Sequence, residues 1–393
     1  MPHYNYLIIG GGMTADAAAQ GIREVDASGS VGIISVEADA PYNRPPLTKA
    51  LWKGEPLDSI WRHTEKQKVD LHLGRQVKSI DLQPKRVLDN HQTVYNFDKL
   101  LLATGGTPRR LPFGDGRIIY YRTLADYRQL RALTESHKRF AVIGNGFIGS
   151  EIAAALTMNG KEVVMIFPGD GICHRMFPRD LSQFVTDYYR QKGVEILAGE
   201  SVVGLEERHA QHFLKTKNGR EILAAGIVAG IGIEPNVERA QAAGLKVDNG
   251  ILVNEFLRTE ANPDIYAAGD VAAFYSPALG KYMRVEHEDN ANTMGRIAGR
   301  NMAGKSEPYQ HFPFFYSDLF DLGYEAVGET DARLETFADW KTPFKEGVVY
   351  YLRDRRVRGV LLWSVWGKVD AARDLIRAPG PFGPSELRGR ITN

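Results

Sequence analysis

The sequence predicts an α/β fold built on two strand–glycine turn–helix–strand units, and three observations predict it. Gly10, Gly11 and Gly12 with Ala15 stand between an apolar run and an alanine-rich stretch. Gly144, Gly146 and Gly149 repeat that spacing 134 residues later. Three further β-rich runs, KLLLATGG, GIVAGIG and IYAAGD, each end in glycine, as do strands that pass between domains or let backbone approach a ligand.

The first unit opens with YNYLII (4–9), an apolar run of buried-strand length. Gly10 permits the tight turn, Gly12 lets a pyrophosphate approach the backbone, and Ala15 allows close packing of helix on strand. The helix N-terminus offers free N–H groups to phosphates. A strand VGIISV (31–36) follows, then Glu37, 22 residues past Ala15. That is near the ~20 expected for an acid on the adenosine ribose. Next comes PYNRPPLTK (41–49). Its prolines stiffen the chain until Leu47, and Thr48 is placed to cap a helix over TKALWKG. By itself this stretch reads equally as a stiff loop or as a holder of ligand.

The second unit is RFAVIGNGFIGSEIAAALTMNGKEVVMIF (139–167). Two such units predict two Rossmann-like dinucleotide-binding domains. The second lacks an acid at its strand end, where Phe167 stands, and Gly169, Asp170, His174 and Arg175 follow. Asp170 suits the ribose hydroxyls of NADH, and Arg175 suits the 2′-phosphate of NADPH. Cys173 and His174 read as incidental loop residues. Glu151 falls in the first turn of the second helix, where it complements the helix dipole. Asp270, in AAGD, is placed to bond a polyol chain or to close a turn.

The 393 residues exceed one ordinary domain. With 43% hydrophobic and 25% charged residues and a net charge of +1, neither nucleic acid nor a membrane surface is an expected partner. A single cysteine excludes an intrachain disulfide, a Cys-x-x-Cys pair and a cysteine-held metal. The histidines form no metal-binding spacing, so no metal is expected. The first strand begins at once, leaving no room for a signal or transit peptide. No apolar run approaches the ~20 residues of a membrane helix. A cytoplasmic protein is expected.

In order and spacing, the two fingerprints, ATGG and AAGD resemble the two-dinucleotide flavoprotein reductases of glutathione-reductase-like fold. PYNRPPLTK is similar to an element of ferredoxin and rubredoxin reductases and of the apoptosis-inducing-factor family. RVEHEDNANTMGRIAGRNMAG (284–304), FYSDLFDLGYEAVGETD (315–331) and GVVYYLRDRRVRGVLLW (347–363) resemble the redox core of the latter. The resemblance runs from about Tyr4 to Ile376. The targeting segment, membrane anchor and long C-terminal insertion of the mitochondrial protein have no counterpart in it, so the redox machinery carries over and the apoptotic role does not.

This resemblance implies an α+β C-terminal domain and boundaries of 1–118 and 248–312 for FAD, 119–247 for NAD(P)H, and 313–393 for an interface domain. It implies that Gly10, Gly11, Gly12, Ala15, Glu37, Arg44, Lys49, Val77, Arg109, Asp270, His287 and Glu325 line FAD. Gly144, Gly146, Phe147, Ile148, Gly149, Glu151, Asp170, Arg175, Gly232, Glu234, Glu286 and Tyr316 would line NADH, with NADPH as the alternative. Lys49 and Glu151 are expected to pair beside the reactive flavin nitrogen, with His287 stacking on the ring or capping its helix. Tyr316 stands where the family has tryptophan, and Gly169 where it has a glutamate that helps hold NADH adenosine.

A disulfide-reducing mechanism is excluded by the missing cysteine pair. The expected activity is FAD-dependent NAD(P)H oxidation, with electrons passed to a small-molecule or protein acceptor. The alternatives are a dedicated ferredoxin or rubredoxin reductase and an NADH-responsive interaction protein; a monomer or a homodimer fits each. The last 53 residues hold 11 Lys/Arg against 5 Asp/Glu. RDRRVR at a hairpin tip is then either a solvated turn or a docking patch for an acidic ferredoxin-like carrier.

Overall fold

Continuous apolar runs become the central strands of parallel sheets, because such strands are buried on both faces. A computed structural model of the chain describes residues 1–208 and 211–391. These residues form two compact units, cut differently from the boundaries the sequence suggested. The first holds Met1–Arg44, Leu57–Thr107 and Glu234–Pro313; the second holds Pro45–Pro56, Pro108–Ile233 and everything from Phe314 onward.

In the first unit the strand His3–Ile9 lies between Val31–Ile34 and Val94–Leu102, parallel to both. Ile265–Ala267 adds in parallel to Val94–Leu102. An antiparallel hairpin, Val77–Asp81 with Arg86–Asp89, extends the sheet. Two helices, Met13–Arg23 and Glu288–Met302, pack nearly backbone to backbone. A Cβ on Gly21 would stand 2.0 Å from the Arg296 carbonyl oxygen, and one on Gly299 would stand 2.0 Å from that of Ala18. Small residues here are a packing requirement. Asp16, fully buried in the first helix, accepts from Arg62 Nε (2.7 Å), Thr64 Oγ1 (2.6 Å) and Gln20 Nε2 (2.8 Å). That satisfies a charge whose burial would otherwise be costly.

The second unit carries a five-stranded parallel sheet in the order Glu195–Ala198, Glu162–Phe167, Arg139–Ile143, Gly226–Ala229, Ile118–Tyr120. Its C-terminal part is a five-stranded antiparallel sheet with the helix Val369–Arg377 against it. Arg353 pairs with Arg356 in that sheet, so Asp354 and Arg355 form the hairpin tip. Both have left-handed φ (51° and 56°), as a two-residue turn matched to strand twist requires.

PYNRPPLTK divides between the units at Arg44 and Pro45. Its second half is fastened to the second unit. Tyr121 Oη donates to the Leu47 carbonyl at 2.5 Å, and Asn159 Nδ2 donates to the Trp52 carbonyl at 3.0 Å. The helix expected over TKALWKG is only one short 3₁₀ turn, Ala50–Lys53, preceded by another at Pro45–Leu47. Thr48 caps neither, because its hydroxyl is used elsewhere.

Candidate functional site

Both glycine turns have the form that a pyrophosphate needs. Gly10 (φ +120°) and Gly144 (φ +111°) adopt backbone that L-residues avoid. Added Cβ atoms there would stand 2.1 Å from the Ala103 oxygen and 2.3 Å from the Gly230 oxygen. A Cβ on Gly11 would likewise stand 2.2 Å from Ser35 Oγ, whereas Gly12 and Gly146 are open. A Cβ on Gly146 meets nothing within 4 Å, and one on Gly12 meets only Arg44 Nη2 at 3.9 Å. Both are N-cap residues with no side-chain cap, so first-turn N–H groups remain for an anion. Open space and uncapped donors together fit the phosphates of FAD and NADH.

In the first unit, Glu37 accepts from Tyr42 Oη at 2.6 Å and Arg44 Nη2 at 2.5 Å. Its carboxylate is thus aimed and charge-balanced. Val77 opens its strand as part of the hydrophobic core. Glu286 pairs with Arg284 at 2.6 Å, and Arg284 also donates to the Asp270 carbonyl at 3.0 Å. His287 is the N-cap of the Glu288–Met302 helix but makes no capping bond with its side chain. Burial lowers its pKa to about 4, outweighing the pull of Asp270 and Asp289, so the ring is neutral at pH 7. Glu234 lies in the short strand Ile233–Pro235.

In the second unit, Glu151 is buried on the helix Phe147–Met158. It is that helix's fifth residue, beyond the first turn where the sequence reading put it, so the dipole weakly determines its role. Side chains do so instead. Lys49 Nζ lies 2.6 Å from Oε1, Ser317 Oγ donates to Oε1 at 2.5 Å, and Thr48 Oγ1 donates to Oε2 at 2.5 Å. The pair is 12% and 4% exposed at Lys49 and Glu151, so solvent screens it little. Lys49 Nζ also sits 5.2 Å from the centre of the Tyr316 ring, a cation–π contact. Phe147 packs on Phe315 with ring centres 4.8 Å apart.

The remaining expected residues of this unit fall nearby in sequence or sheet. Arg109 N–H donates to the Gly232 carbonyl at 2.9 Å, so one residue expected for each cofactor lies beside the other. Ile148 is exposed in the first helical turn. Glu325 faces Tyr316 across the antiparallel pair, and its buried Oε2 has no hydrogen-bond partner among the described residues. Burial raises its pKa. Asp170 and Arg175 are exposed on the loop after Phe167. Cys173 is buried and its thiol is pushed up to about 12, so it is not a nucleophile at neutral pH.

Sequence reading missed Thr48, Ser317, Arg284 and Tyr42 as holders of the key side chains. Tyr42 and Thr48 lay inside a quoted motif. Ser317 and Arg284 also lay inside runs that carry the family resemblance. Among the described residues, no cluster of His, Cys, Asp and Glu suits a metal, and no helix is long and apolar enough to cross a membrane.

Residues 4–295 match the pyridine nucleotide-disulphide oxidoreductase family model. Residues 298–343 and 337–378 match the mitochondrion-associated C-terminal domain of apoptosis-inducing factor. Apoptosis-inducing factor 1, mitochondrial, of Dictyostelium discoideum is 36% identical over 95% of this chain and 78% of that protein. The ferredoxin reductase subunit of 5,5'-dehydrodivanillate O-demethylase from a Sphingobium strain is 34% identical over 91% of this chain and 89% of its own length. The structure of the covalent putidaredoxin reductase–putidaredoxin complex superposes with a TM-score of 0.91 at 30% identity, covering 98% of this chain and 95% of that one.

Proposed function

We propose a function for a chain that belongs to the pyridine nucleotide-disulphide oxidoreductase family: it oxidises NADH through FAD and passes the electrons to a ferredoxin-like carrier. FAD supplies the conversion between a two-electron hydride donor and a one-electron acceptor. The chain's own residues bind, orient and balance charge. In this reading residues 1–118 and 248–312 serve FAD, 119–247 serve NADH, and 313–393 form an interface domain.

Gly10, Gly11, Gly12 and Ala15 would admit the FAD pyrophosphate, with Glu37 on its ribose and Asp270 on its polyol chain. Arg44 and Val77 would flank it. Gly144, Gly146, Phe147, Ile148 and Gly149 would do the same for NADH. Arg109 and Glu325 would also line FAD, and Asp170, Arg175, Gly232, Glu234, Glu286 and Tyr316 would line NADH. His287, neutral by burial, would offer an uncharged face.

The observation that carries the reading is the Lys49–Glu151 pair. A buried carboxylate held by two hydroxyls fixes the position of one ammonium. That cation would favour the extra electron density of a reduced flavin, an effect that is strong where water is excluded. With the only cysteine buried and its thiol raised, no protein thiol relays the electrons.

An acidic ferredoxin is the acceptor that best matches the exposed basic tip formed by Arg353, Arg355 and Arg356. A cytoplasmic setting and a monomer or homodimer complete the proposal. Anaerobic reduction by NADH, then mixing with an acidic iron–sulfur protein or a quinone, tests the acceptor. Reoxidation by the iron–sulfur protein should be fast and should slow steeply with added salt. Faster turnover with quinone and no salt effect would remove the ferredoxin assignment.

A further inference from the structure

Asp170 and Arg175, expected to line the nicotinamide dinucleotide, lie on the loop at residues 168–175, in which His174 has so far been given no part. A dinucleotide-binding unit usually reads the adenosine ribose with an acid at the end of its second strand. Here the strand Glu162–Phe167 is followed by Pro168 and Gly169. The space that an acid at 169 would need is already filled. A Cβ built on Gly169 would stand 2.4 Å from both Cε1 and Nδ1 of His174. A side chain at 169 would therefore have to displace the His174 ring from this position.

The glycine turn fixes the ring from its other side. Asn145, between Gly144 and Gly146, donates from Nδ2 to the Gly171 carbonyl at 2.6 Å and lies 2.8 Å from His174 Nδ1. The carbonyl identifies that amide atom as nitrogen, since an oxygen there would face another oxygen. An amide N–H aimed at Nδ1 makes Nδ1 the acceptor, so the ring N–H is the one on Nε2. Among the described residues, Nε2 has no protein hydrogen-bond partner. The loop is also braced. Cys173 N–H bonds the Asn145 carbonyl (2.8 Å), Ile172 N–H bonds Thr186 Oγ1 (2.9 Å), and Ser182 Oγ bonds the Ile172 carbonyl (2.7 Å). A preorganised N–H donor thus stands where a carboxylate acceptor would be expected.

We propose that His174 reads the adenosine ribose in this chain, and that replacing a strand-end carboxylate by an N–H donor admits a 2′-phosphate, so that NADPH is used beside NADH. A carboxylate accepts from ribose hydroxyls and repels a phosphate. An imidazole N–H donates to a hydroxyl oxygen and, because the acceptor is charged, more strongly to a phosphate oxygen. Asp170, exposed on the same loop, remains as an acceptor for the unphosphorylated ribose. The inference rests on the reading of 144–149 as the nicotinamide-dinucleotide turn.

Calorimetric titration of the FAD-loaded protein with ADP-ribose and with 2′-phospho-ADP-ribose tests it apart from turnover. The two dissociation constants should agree within about tenfold. A larger preference for ADP-ribose overturns the proposal. In the double variant Gly169→Glu/His174→Gly, the restored acid should weaken the phosphorylated ligand by about tenfold or more relative to the other. An unchanged ratio overturns the assignment of His174. If that variant does not fold, His174→Ala carries the test, with a relative loss of about threefold or more expected from one hydrogen bond. Loss of both ligands in equal measure would show only a bracing role and overturns the proposal. Failure of the wild type to bind either ligand would instead overturn the reading of the glycine turn.

Discussion

Removing Lys49 and Glu151 singly and together distinguishes a coupled buried ion pair from two side chains that merely meet. Their charged atoms are 2.6 Å apart. At an effective dielectric of about 20 the gross attraction is about 6 kcal/mol, and desolvation of both ions takes most of it back. Lys49→Met leaves the Glu151 carboxylate with two hydroxyl donors and no cation. Glu151→Gln leaves the Lys49 ammonium without its anion. Each should cost about 3–5 kcal/mol, the usual penalty for breaking a buried pair from one side. The double variant carries no charge at the site, so it should cost less than the sum of the singles by about 1–3 kcal/mol. For a unit of roughly 200 residues, about 2–4 °C of melting temperature corresponds to each kcal/mol. The single variants should therefore melt about 6–20 °C lower by scanning calorimetry, with the double variant lowered by less than their sum. Single effects that add to within about 0.5 kcal/mol would refute the coupling.

Gly146→Ala should leave the melting temperature unchanged, because its Cβ meets nothing, yet weaken NADH binding by about tenfold or more, read by titration. Gly10→Ala should instead prevent stable folding, since its Cβ collides with the Ala103 oxygen in a left-handed backbone; a well-folded variant seen by circular dichroism would contradict the packing. Ser317→Ala removes a hydroxyl from a buried carboxylate and should cost about 1.5–3 kcal/mol, with slower flavin reduction by NADH in stopped flow. The FAD-free protein should lose stability as pH falls from about 6.5 to about 4, because unfolding lets His287 take up the proton that burial denies it. His287→Gln should flatten that part of the stability–pH curve, measured by urea melts at several pH values.

The glycine turns were legible in the sequence because their chemistry is local. Left-handed backbone at Gly10 and Gly144 and close approach to Ala103 and Gly230 admit no other residue. The Lys49–Glu151 meeting was expected only through family resemblance, since the two are 102 residues apart in the chain. Thr48 was misread as a helix cap because its actual acceptor, Glu151, is equally remote. Ser317 gave no signal of its own, as it acts on Glu151, 166 residues away in the chain. His174 looked incidental for the opposite reason: its partners Gly169 and Asn145 are ordinary loop residues until the ring is seen between them.

The most direct test of NADH oxidation through FAD is an anaerobic titration of the purified protein with NADH, followed by absorbance. The account predicts a yellow protein whose oxidised-flavin band disappears with one NADH per bound FAD and returns when an acceptor is admitted. A colourless protein that takes up no FAD, or a flavin band unchanged by both NADH and NADPH, would contradict it.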